Sequence, residues 1–332
     1  MNEMTETRQG AYGADDDIVD YILGITFEIW EERGVELIRE YYADDCTIYG
    51  LDGIVNGAAE VVDGTYKTLE AFPDRLLLAE NVIWSGCQED GYYSSHRLLS
   101  LMTNTGATIY GPPTNERVRI MNIADCVVED GVITREWLVR DNMTLAQQLG
   151  AEPVQAARDM AARRTGQHRD WMNAEIERLR RVDAPDDSTE IVSPRVDPES
   201  FAWRVLTASW AGDADRFLAT HSPYSVLHRS PLRHYSGNRS VFDYYQTLAT
   251  AMGDIKISVD HVASQPFAGN GIDIAVRWSA TGYHKAPIVG VEATDKPLFI
   301  MAVTHWRCIA DRISAEWTIF DDLAVLSQIL DE

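Results

Sequence analysis

The sequence predicts two tandem α+β domains joined by a helical linker, and three observations lead to that prediction. The chain has 332 residues, a length typical of two domains. Placing residue n above residue n+180 reveals an internal repeat, in which Trp30 falls on Trp210 and Asp141 falls on Asp321. One offset holds without a gap as far as Gln148, which indicates duplication. In each copy a helical pattern precedes a run of strands, the order typical of an α+β domain.

Each copy is predicted to open with an amphipathic helical region, followed by a short extended piece, a second helix, four strands and a closing helix. Turn-forming segments such as GCQEDG and AGNG separate the strands. The predicted strands cover 76–84, 92–102, 117–129 and 132–140 in copy one, and 256–264, 272–281, 297–310 and 313–320 in copy two. The predicted domains are 14–150 for copy one, 151–198 for a helical linker and loop, and 199–332 for copy two.

The linker is predicted to form one helix over 153–182, followed by a loop over 183–198. It is locally rich in arginine, from Arg158 to Arg181. The helix either binds a partner as a basic arm or docks as a solvated helix on the acidic domains, and the second interpretation is favoured.

The composition excludes several classes of function. The formal net charge is −23, so nucleic acid and anionic membrane surfaces would be repelled. No run of 18 apolar residues predicts a transmembrane helix, and the acidic N-terminal segment lacks the features of a secretory signal. The four cysteines have no disulfide or metal spacing and are predicted to be reduced, buried thiols of a cytoplasmic protein.

No cofactor is predicted. The sequence has no glycine-rich dinucleotide fingerprint, phosphate-binding loop, nucleophile elbow or haem motif. A metal site is not predicted either, because neither His-x-His nor His-Glu-x-x-His spacing occurs.

The closing segment of each copy carries a resemblance to a known family. Copy one reads DGVITREWLVRDNMTLAQQLG and copy two reads DRISAEWTIFDDLAVLSQIL, and both resemble the end of SnoaL-like polyketide cyclases. Further motifs similar to that family are AFPD at 71–74, GPPTNERV at 111–118, LHRSP at 227–231 and TGYHKA at 281–286. Asn115 stands where the family usually has glycine.

This resemblance implies a cone-shaped domain of the nuclear transport factor two-like, or ketosteroid isomerase-like and cystatin-like, fold. Helices would wrap a curved antiparallel sheet around a mostly apolar pocket. The fold serves cyclases, isomerases, dehydratases, epoxide hydrolases, lyases and binding domains, so it does not decide the activity. Relatives commonly pair through their sheets, which implies an internal pseudo-dimer here and leaves a further homodimer open.

Two aspartates are the leading catalytic candidates. Strand alternation places Asp141 on the face of Trp137, opposite to Glu136, and Asp321 lies in the same way in copy two. The resemblance implies that this aspartate is the general acid/base, and apolar surroundings raise a carboxyl pKa into a useful range. Each aspartate also directly precedes a short helix, so the alternative role of N-cap stays open.

Three histidines of copy two are candidate assisting residues. His228, His284 and His305 fall on or beside predicted strands and can be placed near Asp321 as proton donors or shuttles, or as hydrogen-bonded structural residues. Under the single offset His305 faces Asp125 and His228 faces Ile48, so copy two is predicted to be the better suited to proton transfer.

Candidate substrate-binding residues are aromatic and arginine side chains of both copies. They are Trp137, Trp317, Tyr49, Tyr283, Arg97 and Arg277. The aromatic residues are expected to form pocket wall or core. The arginines either hold a substrate carboxylate or form a buried pair with Glu136 and Glu316 that braces the sheet.

Together these features predict a cofactor-independent enzyme that acts on a small, mostly apolar molecule by Asp/His proton transfer, as a cyclase, isomerase, dehydratase or lyase. Two alternatives remain. One is a small-molecule-binding protein without chemistry, and the other is a hydrolase in which the aspartate activates water, as in epoxide hydrolases of this fold.

Overall fold

A computed structural model of the chain describes residues 17–182 and 192–331. They form two compact units. The first unit runs as far as Tyr49 and from Ile54 to Leu138, and the second comprises Gly50–Gly53 and the chain from Val139 onward. The first part of the loop predicted after the linker, at 183–191, lies outside the described residues.

Copy one begins with helical turns and continues into strands. Its elements are α1 (Asp17–Thr26), a π-helical turn (Phe27–Glu31), a 3₁₀ turn (Val35–Leu37), α2 (Ile38–Tyr41), β1 (Tyr42–Gly50), β2 (Gly53–Asn56), α3 (Gly57–Ala71), β3 (Leu76–Cys87), β4 (Gly91–Thr103), β5 (Arg117–Glu129), β6 (Val132–Arg140) and α4 (Asn142–Gln148). The opening helical region is interrupted near Arg33, whose φ of 63° is a left-handed conformation that ends a helix.

The strands of copy one form a six-stranded sheet in the order β2-β1-β6-β5-β4-β3. β3, β4 and β5 pair antiparallel, as predicted. β1 and β6 pair in parallel, so the sheet is mixed and not wholly antiparallel. Parallel pairing is possible here because a helix and four strands, and not a hairpin, connect β1 to β6. The unpredicted β2 has only four residues, too few for a periodic pattern.

Copy two repeats this order. Its elements are α7 (Pro198–Ala211), α8 (Ala214–Thr220), β7 (His221–Ser230), β8 (Arg233–Ser236), α9 (Asn238–Ala251), β9 (Met252–Phe267), β10 (Gly271–His284), β11 (Pro297–Ile309), β12 (Arg312–Ile319) and α10 (Asp322–Leu330). The sheet order is β8-β7-β12-β11-β10-β9, again with a parallel pair between β7 and β12. The predicted fold class, two α+β repeats, is confirmed.

The linker contains two helices and not the single helix predicted. They are α5 (Pro153–Ala162) and α6 (Gly166–Arg180). The break occurs because the side chain of Thr165 accepts a hydrogen bond from the backbone N–H of His168 and so begins a new helix. Within the second unit, Arg164 forms an ion pair with Asp331 at 2.7 Å, and Trp171 packs edge-on against Phe299 at 5.4 Å. These contacts agree with the docking interpretation of the linker.

The two copies do not follow a single offset throughout. Tyr49 lies opposite Trp137 in the sheet of copy one, and His228 lies opposite Trp317 in the sheet of copy two. The offset in β1 and β7 is therefore 179, since 228 − 49 = 179. The ungapped offset is wrong in this strand, and His228 is the counterpart of Tyr49 and not of Ile48.

Apolar side chains of α1 cover one face of the sheet in copy one. Ile18, Ile22 and Ile25 pack in a cluster with Tyr92 and Val128 of the sheet. Removing this apolar surface from water stabilises the fold by roughly 25 cal/mol for each Å² buried. The helix-covered face is therefore the inside of the domain, and its strand residues line the interior.

Smaller predictions can also be compared with the structure. Asn115 has a φ of 62°, which explains why glycine is usual there and why asparagine is accepted. Cys46, Cys126 and Cys308 are buried free thiols, as predicted, but Cys87 is partly exposed. None of the helices in the described ranges is long and apolar enough to cross a bilayer.

Candidate functional site

A buried carboxylate lies in the interior of copy one. Glu136, on β6, is only 4% exposed, and the hydroxyl of Tyr42 on β1 donates a hydrogen bond to its Oε2 atom at 2.8 Å. Burial and the charge of Glu136 raise the pKa of the Tyr42 hydroxyl well above its ordinary value, so this donor keeps its proton. Burial and the same charge also raise the pKa of the Cys46 thiol to about 11.

Several aromatic side chains that pack against the same core cluster as Tyr42 remain partly exposed. Tyr21, Trp30 and Tyr41 on the opening helical segments, and Trp84 on β3, all pack against the core cluster without being fully buried. The hydroxyl of Tyr21 donates to the carbonyl of Gly131 at 2.6 Å, which fixes that ring. Aromatic side chains together with a few polar groups are the residue types that line small-molecule sites.

Copy two has a carboxylate at the same position, with more partners. Glu316 is 1% exposed and accepts hydrogen bonds from the hydroxyls of Tyr245 and Thr318, the second at 2.6 Å. His221 Nε2 lies 3.6 Å from Glu316 Oε2. Burial alone would raise the pKa of Glu316, but the interactions with His221, Thr318 and Tyr245 outweigh it and hold the pKa below its ordinary value.

Larger side chains fill the interior of copy two. Trp278 and Trp306 stand where copy one has Leu98 and Cys126, and both tryptophans are at most 1% exposed. Trp278 packs edge-on against Trp210 with ring centroids 5.8 Å apart. At these two positions the interior of copy two therefore carries larger side chains than that of copy one.

The predicted catalytic aspartates both act as helix caps in the second unit. Asp141 accepts a hydrogen bond from the backbone N–H of Thr144 at 3.2 Å. Its other carboxylate oxygen is buried without a hydrogen-bond partner. Burial raises the pKa of Asp141 to about 6, helped by the charge of Asp322 and opposed by that of Arg229.

Asp321 accepts more hydrogen bonds than Asp141. One of its oxygens accepts from the backbone N–H groups of Leu323 and Ala324, each at 3.0 Å. The other accepts from Asn142 Nδ2 at 2.6 Å, and the same amide also donates to Asp52 at 3.1 Å. Burial, and the charge of Asp52, raise the pKa of Asp321 well above its ordinary value. Both carboxylate oxygens of Asp321 are thus engaged in structure.

The capping role is the alternative that the sequence left open, and the structure places both aspartates in it. Arg229, which the sequence reasoning did not single out, is a buried cation beside them. It is stacked 3.9 Å from the ring of Phe320 and donates to both carboxylate oxygens of Asp322 at 3.1 Å. The structure therefore brings Asp141 and Asp321 together in one polar cluster of the second unit.

The predicted histidines occupy other positions. His305 and His228 lie on either side of Trp317 in neighbouring strands, with the His228 ring stacked on the indole at 5.2 Å. Paired residues project from the same face of a sheet, which is the face opposite to Glu316. Among the described hydrogen bonds, none joins His284 to Asp321. His284 instead accepts from the backbone N–H of Thr294 at 3.2 Å and shapes its loop.

The predicted binding residues are also dispersed. Trp137 stacks with Tyr49 at 5.9 Å, and the hydroxyl of Tyr283 accepts a hydrogen bond from Arg180 of the linker at 3.0 Å. Arg277 lies near His261, whose pKa is lowered to about 4 by burial and by that cation.

The contacts of these arginines and glutamates differ from the predicted buried arginine–glutamate pairs. Arg97 pairs with Glu80 at 3.0 Å, while Glu136 accepts from Tyr42. In copy two the partners of Glu316 are hydroxyls and His221, and not Arg277. The reason is the alternation of side chains along a strand. Arg97 lies opposite Ile123 in the sheet, one position away from the interior residue Leu98, so it projects from the other face.

The sequence reasoning missed Tyr42, His221 and Tyr245 as partners of the interior carboxylates. The available signal was the one-residue shift in the first strand. Tyr42 lies opposite Ile133 and His221 lies opposite Ile313, so these two residues are counterparts, which an ungapped offset conceals. Within the described part of the chain, no group of three or more His, Cys, Asp or Glu side chains is arranged to hold a metal ion.

Solved structures of similar proteins match one copy at a time. IdmH from Streptomyces antibioticus is 23% identical over 40% of this chain and 98% of its own, with a TM-score of 0.35. A SnoaL-like polyketide cyclase from Agrobacterium tumefaciens is 20% identical over 40% and 98%, with a TM-score of 0.34. AclR from Streptomyces galilaeus is 20% identical over 41% and 98%, with a TM-score of 0.37. No curated protein matches the chain.

The family model for SnoaL-like polyketide cyclases matches twice, over residues 22–149 and 202–329. The two matches cover both repeats and most of the chain. Each contains one interior glutamate and one capping aspartate at the end of its sheet. The chain is therefore a member of the SnoaL-like polyketide cyclase family, built from two tandem copies of the family's domain.

Proposed function

We propose that this protein is a cofactor-independent enzyme of the cyclase or isomerase type, and that the interior of copy one binds its small, mostly apolar substrate. The observation that carries the proposal is the difference in filling. Aromatic residues of the core cluster that Tyr42 joins in copy one are partly exposed, whereas Trp278 and Trp306 in the interior of copy two are fully buried. This assigns the activity to copy one, the reverse of the copy favoured by the count of histidines.

Glu136 is the proposed proton-transfer group, and Tyr42 is its partner. A buried carboxylate beside apolar residues can take a proton from carbon next to a carbonyl, and the same group can return that proton at another carbon. The Tyr42 hydroxyl, held at 2.8 Å from Glu136 Oε2, fixes the orientation of the carboxylate.

Asp141 is the second candidate acid/base. A specific observation favours it over Asp321: one carboxylate oxygen of Asp141 is free of hydrogen bonds. Burial also raises the pKa of Asp141 to about 6, and a group with a pKa near neutral pH can both take up and release a proton. Asp321 has both oxygens engaged by N–H groups. The histidine roles assigned to His228, His284 and His305 stay predictions, and this proposal does not depend on them.

The test uses exchange of protons, which does not require the natural product to be known. Small aromatic and alicyclic ketones that raise the melting temperature of the protein are incubated with it in D₂O, and deuterium entry next to the carbonyl is followed by NMR. Glu136→Gln is expected to lower the exchange rate by at least about 100-fold, a typical contribution of a general base. Glu316→Gln is the matched control in the filled copy and is expected to leave the rate unchanged.

Other outcomes decide among the alternatives. Ketones that bind to the parent protein without any deuterium entry indicate a binding protein. Oxygen from labelled water appearing in the product of an epoxide indicates the hydrolase. Equal loss of exchange in Glu136→Gln and Glu316→Gln contradicts the assignment to copy one, and loss in Asp141→Asn alone assigns the reaction to the second candidate.

A further inference from the structure

A histidine and a glutamate face each other in the filled interior of copy two, and the proposed function uses neither. The atoms concerned, His221 Nε2 and Glu316 Oε2, are 3.6 Å apart, and both residues are at most 1% exposed. Neither atom has a hydrogen-bond partner within the described residues. A buried pair of this kind is costly unless its protons are correctly placed.

The contacts of His221 fix the proton on its other nitrogen. Nδ1 lies 2.9 Å from the carbonyl oxygen of Phe217 and 3.1 Å from the hydroxyl oxygen of Thr220; because a carbonyl can only accept, we place the hydrogen on Nδ1. The hydroxyl of Thr220 donates to the same carbonyl at 2.9 Å. The imidazole is stacked on the Phe217 ring with centroids 3.8 Å apart, which fixes the plane of the imidazole.

With the hydrogen on Nδ1, no hydrogen lies between Nε2 of His221 and Oε2 of Glu316. A neutral imidazole with its hydrogen on Nδ1 directs a bare lone pair from Nε2 toward a carboxylate oxygen, which is repulsive. The hydroxyls of Tyr245 and Thr318 both bind Glu316 Oε1, so they do not relieve Oε2. One additional proton between Nε2 and Oε2 removes the repulsion, and it gives either an imidazolium–carboxylate pair or a neutral hydrogen-bonded pair.

The surrounding titratable groups do not supply that proton. Burial and the charge of Glu316 raise the pKa of Tyr245 on α9, and burial with the charges of Asp273, Asp311 and Glu316 raises the pKa of Cys308 on β11, so both groups stay neutral. The buried cation Arg229, which interacts with Tyr245, is already bound to Asp322. The proton therefore belongs to the histidine–glutamate pair.

Copy one shows why this pair is special. Its counterpart of His221 is Tyr42, whose hydroxyl brings its own hydrogen to Glu136. The tyrosine pair needs no extra proton, whereas the histidine pair does. The replacement of tyrosine by histidine coincides with the copy in which tryptophans fill the interior.

We propose that one proton shared by His221 Nε2 and Glu316 Oε2 locks the filled interior of copy two, so that release of this proton loosens that copy. The stabilising effect is lost on both sides of a pH window. As the pH falls, Glu316 is protonated and the charge attraction disappears; because its pKa is held low, this happens only in acid. As the pH rises, the shared proton leaves and two acceptors face each other.

The experiment measures the urea midpoint of unfolding from pH 4 to pH 10 for the whole chain and two variants. In Glu316→Gln a carboxamide N–H faces Nε2 without needing the extra proton, so the alkaline fall of the midpoint is expected to be smaller than in the parent. His221→Tyr copies the pair of copy one, and it is expected to lose the alkaline fall while keeping the acid one. Equal alkaline falls in the parent and Glu316→Gln overturn the proposal.

A second measurement does not depend on the stability of the variants. The ring nitrogens of His221 are observed by NMR in protein labelled with ¹⁵N-histidine, and the signal is assigned by its absence from His221→Tyr. At neutral pH the parent is expected to show both nitrogens protonated or hydrogen-bonded, with Nε2 changing as the alkaline fall begins. A bare Nε2 at neutral pH that does not change with pH contradicts the shared proton.

Discussion

Copy one and copy two carry the same glutamate on the same strand but surround it differently. Glu136 has a tyrosine donor and partly exposed aromatic neighbours, and Glu316 has a histidine, two hydroxyls and a wall of buried tryptophan. The two interiors thus share a sheet topology and differ in side-chain size and in the partner of the carboxylate. The comparison teaches that two copies of one fold can differ in the partners of the same buried carboxylate and in the size of the side chains beside it.

The difference in side-chain size between the two interiors has the largest expected effect on stability. Trp306→Ala removes a large, fully buried side chain and is expected to destabilise the protein by about 3–5 kcal/mol. Cys126→Ala, at the same position of copy one, removes only a sulfur atom and is expected to cost about 1 kcal/mol. Urea unfolding of both variants checks the contrast, and similar losses would show that the interior of copy one is as tightly filled as that of copy two.

The second prediction concerns how the contribution of Asp141 to stability depends on pH. Its folded pKa of about 6 lies above the unfolded value near 3.9, so its contribution to stability is fully present below about pH 4 and is lost as the pH rises through 6. Asp141→Asn keeps a capping oxygen and cannot ionise. It is expected to stabilise the protein at pH 8 by up to about 3 kcal/mol and to have little effect at pH 4.

Denaturant unfolding of Asp141→Asn at both pH values measures this difference. The exposed Asp63 on α3 offers a control, because Asp63→Asn makes the same chemical change without burial. A stabilisation that is equal at pH 4 and pH 8, or absent at both, would contradict the raised pKa of Asp141.

The capping contacts predict a smaller difference between the two aspartates. Asp321 accepts from two backbone N–H groups and one amide, whereas Asp141 accepts from one N–H group. Loss of an N-cap costs about 0.5–2 kcal/mol, so Asp321→Ala should lie near the upper end of that range and Asp141→Ala near the lower. Unfolding at pH 5 is the suitable measurement, because relief of buried charge contributes little there. The reverse order would mean that the unbound oxygen of Asp141 has an unrecognised partner.

Much of the fold could be predicted from the sequence. The repeat, the strands after the second helix of each copy and the closing helices followed from periodicity and turn residues, which are local signals. The parallel pair between β1 and β6 and the short β2 could not, because pairing of distant strands leaves no local pattern. The break in the linker helix depended on a single cap, Thr165.

The site was harder to predict. Asp141 and Asp321 were identified with both of their possible roles, and the structure shows the capping contacts. The partners of the interior glutamates were missed, because a one-residue shift in β1 conceals that Tyr42 and His221 are counterparts. The internal pseudo-dimer, the further homodimer and the cytoplasmic location stay predictions.

The central claim, that copy one alone keeps an accessible interior, is tested most directly by exchanging the residues that fill it. Nile red, a neutral apolar dye, is titrated into the parent, Cys126→Trp and Trp306→Cys, and its fluorescence gives the number of molecules bound, after circular dichroism has shown that each variant is folded. The account predicts one molecule per parent chain, no binding to Cys126→Trp, and retained binding to Trp306→Cys. Undiminished binding to a folded Cys126→Trp would contradict it.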